Sequence, residues 1–174
     1  MAVMPLTLAN AIIDHAAERG EFVTPMKLQK LMYFAHGFHL ASYGVPAIDE
    51  GFEAWPYGPV NRQTYEAYAS YENRPITAAV WATGFRSVPR LDLLTDTVTV
   101  KQMAETIWDR YATADAIRLS QITHLRNSPW SRIRDNHSGN LSASMHVPIP
   151  DDDIKRYFEC VMQRGYEGAL DANW

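Results

Sequence analysis

Reactive side chains are sparse in this 174-residue chain, and their spacings support few kinds of chemistry. His36 and His39 lie three apart, close enough to neighbour each other on a helix, and His124, His137 and His146 follow much later. Tetrahedral zinc needs three or four converging ligands, and neither CxxC nor HExxH occurs to supply them, so no metal site is expected. No serine stands in a GxSxG context, which removes local support for a covalent hydrolase. GxGxxG and a glycine-rich loop ending in Gly-Lys-Ser or Gly-Lys-Thr are also absent, so nucleotide chemistry has no support. Cys160 falls among Phe158, Val161 and Met162 and reads as a small buried hydrophobe. The residues therefore point to no enzyme and no cofactor. A hydrolase or metal enzyme built around His36 and His39 is the least favoured alternative.

The chain does offer side chains suited to gripping a partner. Trp55, Tyr57 and Pro59 form one aromatic segment, and Arg126, Arg132 and Arg134 surround Trp130. Tryptophan, tyrosine and arginine combine large contact area with a directional polar tip, which is why they dominate binding hot spots. Lys27 and Lys30 sit on a polar strip, where they could pair with Glu53 or with an acidic partner. Gly37 and Ala41 lie near that strip and are small enough for close approach by another helix or loop.

The element that must position these groups runs through TPMKLQKLMYFAHGFHL, residues 24–40. Thr24 suits the N-cap and Pro25 the first helical position, where a missing N–H costs nothing. Gly44 suits a left-handed stop. Leu28, Leu31, Met32, Ala35 and His39 mark one face, while Tyr33, Phe34, Phe38 and Leu40 spread apolar surface around the rest. A helix apolar nearly all round must be buried on several sides. On this reading His39 packs like an aromatic residue and His36 is partly exposed.

Around this helix, over about residues 24–42, the pattern predicts a first helix from Thr7 to Arg19 and a third after Gly58-Pro59. The third carries Val60, Thr64, Ala67, Tyr68 and Tyr71 on one side and ends near Asn73. Between them the glycines and prolines of residues 43–60 mark loop, with Phe52–Trp55 as at most a short extended piece. Residues 74–97 read as an irregular connection, with Ile76–Trp81 open between strand and short helix. A fourth helix follows a capping-box sequence at Thr99, a fifth spans Asp115–Leu125, and Ser128-Pro129-Trp130 opens a short sixth. Residues 136–148 read as loop. Asp151, Asp152 and Asp153 then place negative charge at the positive end of a last helix, whose apolar stripe is Ile154, Phe158, Val161 and Met162, with a stop near Gly165. The expected fold class is all-α: one compact helical domain over residues 1–174, its core at 6–165, with six or seven helices and at most minor β.

Composition agrees with that reading. Hydrophobic residues at 47% and charged ones at 21% suit a globular protein rather than a disordered one. A formal net charge of −4 disfavours a nucleic-acid partner chosen by whole-surface attraction. Helix, tight turn, helix at residues 7–44 is nevertheless the outline of a helix-turn-helix, so a DNA-binding regulator using Lys27, Gln29, Lys30 and the three arginines is the alternative. No apolar run approaches the ~20 residues of a membrane span, and a lone cysteine fits a reducing, cytoplasmic setting. Self-association is left open.

TPMKLQKLMYFAHGFHLASYG followed by FEAWPYGPV closely resembles the Panacea antitoxin domain, a SocA-like family that includes phage-associated GepA-type proteins. Its usual pattern is Thr-Pro-x-Lys-Leu-Gln-Lys-Leu, then Glu-Ala-Trp, then Tyr-Gly-Pro-Val. Leu119–His124, Ser128-Pro129-Trp130 and the helix beginning at Ile154 also look like the family, extending the resemblance to about residues 6–165. The resemblance implies the antitoxin of a toxin–antitoxin system, neutralising a cognate protein toxin by direct, non-catalytic binding. Lys27, Lys30, Tyr33, His36, Trp55 and Tyr57 lie in the matching motifs and are the candidates it adds, beside Arg126, Arg132 and Arg134.

Overall fold

The computed structural model describes residues 2–77 and 97–169. Most of the irregular connection expected over 74–97, and most of the Ile76–Trp81 segment, therefore lie outside the described residues. Ile76 itself is bridged to Val23, its N–H donating to the Val23 carbonyl at 2.9 Å.

Helix α1 runs Pro5–Glu18, two residues ahead of the expected start. Proline needs no donor at the first helical position, and Met4 precedes it without any side-chain cap. Thr7, expected as the cap, is instead buried within the helix. Helix α2, Pro25–Tyr43, has the predicted ends: the Thr24 hydroxyl accepts from the Lys27 N–H, and Gly44 stops it at φ 71°. Residues 28–37 of α2 are buried without a break, so neighbours cover it on every side. Fully burying each Leu or Phe side chain is worth about 1.5–3 kcal/mol, which makes α2 the centre of the core.

Three short strands join the helices. Strand β1 is Phe52–Trp55, β2 is Gly58–Val60 and β3 is Pro148–Ile149, in antiparallel order β2-β1-β3. Trp55 opposes Gly58, so Pro56 and Tyr57 alone make the hairpin turn. Phe52 and Ala54 point inward and Glu53 and Trp55 outward, as alternation predicts. Residues 136–148 are thus not wholly loop, because Pro148 pairs with Glu53.

Val60 belongs to β2, and the third helix is correspondingly short. Helix α3 covers Arg62–Tyr68 behind an Asn61 cap, with a 3₁₀ turn at Ala69–Tyr71. Helix α4 is Thr97–Tyr111, so the capping-box sequence at Thr99 lies inside its first turn rather than before it. Helices α5, Ala116–Thr123, and α6, Pro129–Asn136, are capped by Asp115 and Ser128. Helix α7, Asp151–Ala169, breaks at Gly165, where φ is 72°.

Helix α7 packs along α2, and α4 packs on α1 and α2. The Phe158 ring presses on Gly37, where an added Cβ would come within 2.4 Å of its atoms. Ile154, Phe158 and Val161 are buried as predicted, but Met162 is exposed, one position off the buried stripe. Cys160 is half-buried against the core rather than inside it. The result is a compact helical domain with one small sheet.

Candidate interaction surface

The hairpin turn is held from beneath by two polar residues of α2. Gln29 makes a two-way pair with the backbone of Asn61, donating to its carbonyl at 3.2 Å and accepting from its N–H at 2.8 Å. Lys30, 1% exposed, donates through Nζ to the Pro59 carbonyl at 3.0 Å. Burial without a carboxylate partner pushes its pKa down to about 7. Gly58 sits directly over this ammonium at φ +106°, and a Cβ there would lie 2.7 Å from Nζ and 2.8 Å from the Thr123 hydroxyl. Glycine is therefore required twice at this position, by conformation and by space.

Asn61 fixes the other end of β2. Its side chain caps α3 by accepting from the Thr64 N–H and donates to the carbonyls of Glu50 and Gly51 at 2.9 and 3.0 Å. From the opposite side α5 and α6 grip the turn. Ser120 donates to the Tyr57 carbonyl at 3.0 Å, and the Trp130 indole N–H donates to the Trp55 carbonyl at 2.7 Å. His124 stacks on Trp130 with centroids 3.8 Å apart. Burial, with the nearby Lys30 and Arg134 charges, lowers the His124 pKa to about 4 and keeps the ring neutral at physiological pH.

Outside these clamps lies a small aromatic surface. The Tyr57 side chain is 75% exposed at the tip. Trp55 is half-buried, with Tyr65 edge-on at 4.6 Å and the Arg62 guanidinium 5.3 Å from its ring centroid. Glu53 ties the group together: it accepts from the Trp55 indole at 2.8 Å and from Arg62 at 3.1 and 2.7 Å. Burial works to raise the Glu53 pKa, but hydrogen bonds from Arg62 and Trp55 outweigh it and hold the carboxyl below its usual value. Arg134 lies over Trp130 at 5.3 Å and pairs with Asp135.

The nine candidate residues thus separate. Trp55, Tyr57 and Arg134 are brought to the hairpin face. Lys30, Tyr33 and His36 are buried and present no surface to a partner docked on the folded domain, a correction to their selection as contacts. Tyr33 packs among Phe34, Phe52 and Phe158. His36 packs by Phe52, and its Nε2 lies 3.0 Å from Asp151 at the start of α7. The two histidines exchange the places expected of them, since His39 is half-exposed and its Nδ1 meets the Val45 carbonyl at 2.9 Å. Lys27 donates to the Ala112 carbonyl at 2.6 Å and lies 5.0 Å over the Trp108 ring. Neither lysine pairs with Glu53, whose cation is Arg62. Arg126 is exposed and Arg132 half-buried, each engaged in contacts of its own.

Sequence reasoning missed Arg62, Tyr65 and the clamp residues Asn61 and Ser120, and considered Gln29 and His124 only for other roles. Asn61 directly before a helical stripe was a usable signal, since asparagine is a strong N-cap. Among the described residues no group of three or more His, Cys, Asp or Glu converges to hold a metal, and no helix is long and apolar enough to cross a membrane.

A helical domain that locks an aromatic turn in place, with motifs from α2 to α6 meeting at that turn, defines a class. The chain belongs to the antitoxin SocA-like, Panacea domain family, whose sequence profile it matches over residues 28–131. It is 28% identical over 143 residues to antitoxin SocA of Caulobacter vibrioides (strain NA1000 / CB15N), an alignment covering 80% of this chain and 75% of the relative. No solved structure matches it. Membership supports an antitoxin role.

Proposed function

We propose that this protein is the antitoxin of a toxin–antitoxin pair and neutralises a protein toxin by non-catalytic binding through the hairpin face. The single observation carrying the reading is Tyr57, an exposed aromatic on a turn clamped by Lys30, Ser120 and Trp130. A rigid aromatic anchor loses little conformational freedom on binding, so its contact area is converted efficiently into affinity. Membership of the antitoxin family and similarity to an antitoxin support the same conclusion. The chain acts as one domain, in the cytoplasm, where its one cysteine stays reduced. Of the contacts assigned to the DNA-binding alternative, Gln29 and Lys30 are buried and Lys27 donates to the Ala112 carbonyl, which leaves that reading Arg126, Arg132 and Arg134.

The test is co-expression with the protein encoded beside it. Growth should be restored and the two products should co-purify. Tyr57→Ala should melt like the parent yet weaken the complex at least about 30-fold, the scale of a hot-spot residue. Full protection by Tyr57→Ala and Trp55→Ala together would move binding off this face. Failure of every neighbouring product to bind or be neutralised would remove the antitoxin reading itself.

A further inference from the structure

A second concave surface lies on the other half of α2. Ala35, Phe38, His39, Ser42 and Tyr43 from α2 face Thr99, Gln102, Met103, Thr106, Ile107 and Arg110 from α4 across a groove of about 540 Å³. On α2 these positions are spaced i, i+3, i+4, i+7, i+8, and on α4 they continue to i+11. Each wall is thus one complete helical face. Its floor is apolar, from Ala35, Ile107 and Phe38, and Tyr43 stands 71% exposed at one end. It shares no residue with the hairpin face.

The electrostatics of the groove distinguish its occupant. The protein carries 20 acidic residues against 16 basic ones, yet among the described residues no carboxylate lines this groove. Its charged group is the Arg110 guanidinium, held 4.8 Å from the Phe38 centroid and 5.8 Å from that of Tyr111, and the polar His39 ring lines the groove as well. A cation fixed over aromatic rings beside an apolar trough matches a ligand that brings both an apolar stripe and a carboxylate. Helix-lined grooves of this kind take the apolar face of an amphipathic helix, anchored at i, i+3, i+4 and i+7.

We propose that the α2–α4 groove is a docking site for an acidic amphipathic helix of a partner protein, with its apolar stripe on Phe38, Met103 and Ile107 and a carboxylate on Arg110. The site goes beyond the hairpin reading and does not depend on it. A second copy of this chain is the less suitable occupant, because its net charge of −4 would be brought up as a whole to meet a single arginine.

The probe is a displayed library of amphipathic helices about 16 residues long, with the apolar stripe fixed and the flanking positions randomised, selected on the full chain. The expected winners carry Asp or Glu beside the stripe. A synthetic winner should bind Thr106→Trp, which fills the groove from an exposed position, and Arg110→Glu each at least about tenfold more weakly, while binding Tyr57→Ala as it binds the parent. Thr106 is exposed, so this variant should melt like the parent and carries the test even if Arg110→Glu proves unstable. Recovery of no binder, of winners without an acidic bias, or of winners indifferent to Thr106→Trp would overturn the proposal. Self-association of the parent that Thr106→Trp abolishes would also overturn it, by placing a second copy in the groove.

Discussion

Raising the pH from 7 to 9 should stabilise the protein by about 2 kcal/mol through Lys30 alone. The unfolded lysine titrates at 10.5 and the folded one at about 7, because burial strips its water and, among the described residues, the Pro59 carbonyl is the acceptor that replaces it. Its folded pKa lies below its unfolded one, so the unfolded chain holds more protons throughout that window. Stability is then fully present above 10.5, lost as the pH falls toward 7, and not lost further below. One proton is worth about 1.4 kcal/mol per pH unit, and between pH 7 and 9 the folded amine goes from half protonated to almost bare, which yields the ~2 kcal/mol. Lys27, shifted down by burial, acts in the same sense and stays in place in the variant. Burial raises the pKa of Tyr33, Tyr111, Tyr157 and Tyr166, so these lower stability only above their ordinary value near 10, outside the range. Urea unfolding followed by circular dichroism at pH 7, 8 and 9 measures the slope for the parent and for Lys30→Met. Methionine fills the same channel but leaves Pro59 without its donor, a pH-independent cost of about 1–3 kcal/mol. The level of stability is therefore uninformative and the slope decides. Parallel slopes in the two proteins would refute the assignment of this proton to Lys30.

Gly37→Ala should destabilise by about 1–3 kcal/mol in the same urea assay, because the gain of roughly 1 kcal/mol from better helix propensity is smaller than the cost of displacing the Phe158 ring. Gly37→Ala with Phe158→Leu should lose less than the two single changes summed. Asn61→Ala removes the α3 cap and the donors to Glu50 and Gly51, and should cost about 2–4 kcal/mol by thermal melting. His124 has a folded pKa of about 4, below its ordinary 6.5, so its share of stability is complete above 6.5 and is lost as the pH falls toward 4. His124→Gln should flatten the acid limb of the stability curve over that range.

Local signals were legible wherever the chain acts on its nearest neighbours. Thr24-Pro25 and Gly44 fixed the ends of α2, and Asp115, Ser128 and the triple aspartate did the same for the starts of later helices. The places of His36 and His39 were not legible, because a helix apolar on every side has no periodicity to say which face is deepest. Asp151, 115 positions away, decides it. Lys30 was misplaced for a related reason. A lysine defaults to the surface, and only the hairpin folding over it, with Gly58 leaving room, makes its burial tolerable. Strand β3 is two residues long, and no pattern that short is visible before its partner is known. Of the hairpin face, Trp55, Tyr57 and Arg134 could be named from residue type. Arg62 and Tyr65 could not, since they reach it only through the turn of α3.

The reliance of α2 on α7 has a consequence during synthesis. The side of α2 that carries Gly37 is closed by Phe158, and β1 gains its second neighbour only at Pro148. A ribosome that has passed Val60 has therefore made the central rod and the hairpin without the pieces that shield them. Until Phe158 has been made, the side of α2 at Gly37 stands without its cover, and transiently exposed apolar surface of that kind is what makes unfinished chains prone to aggregate.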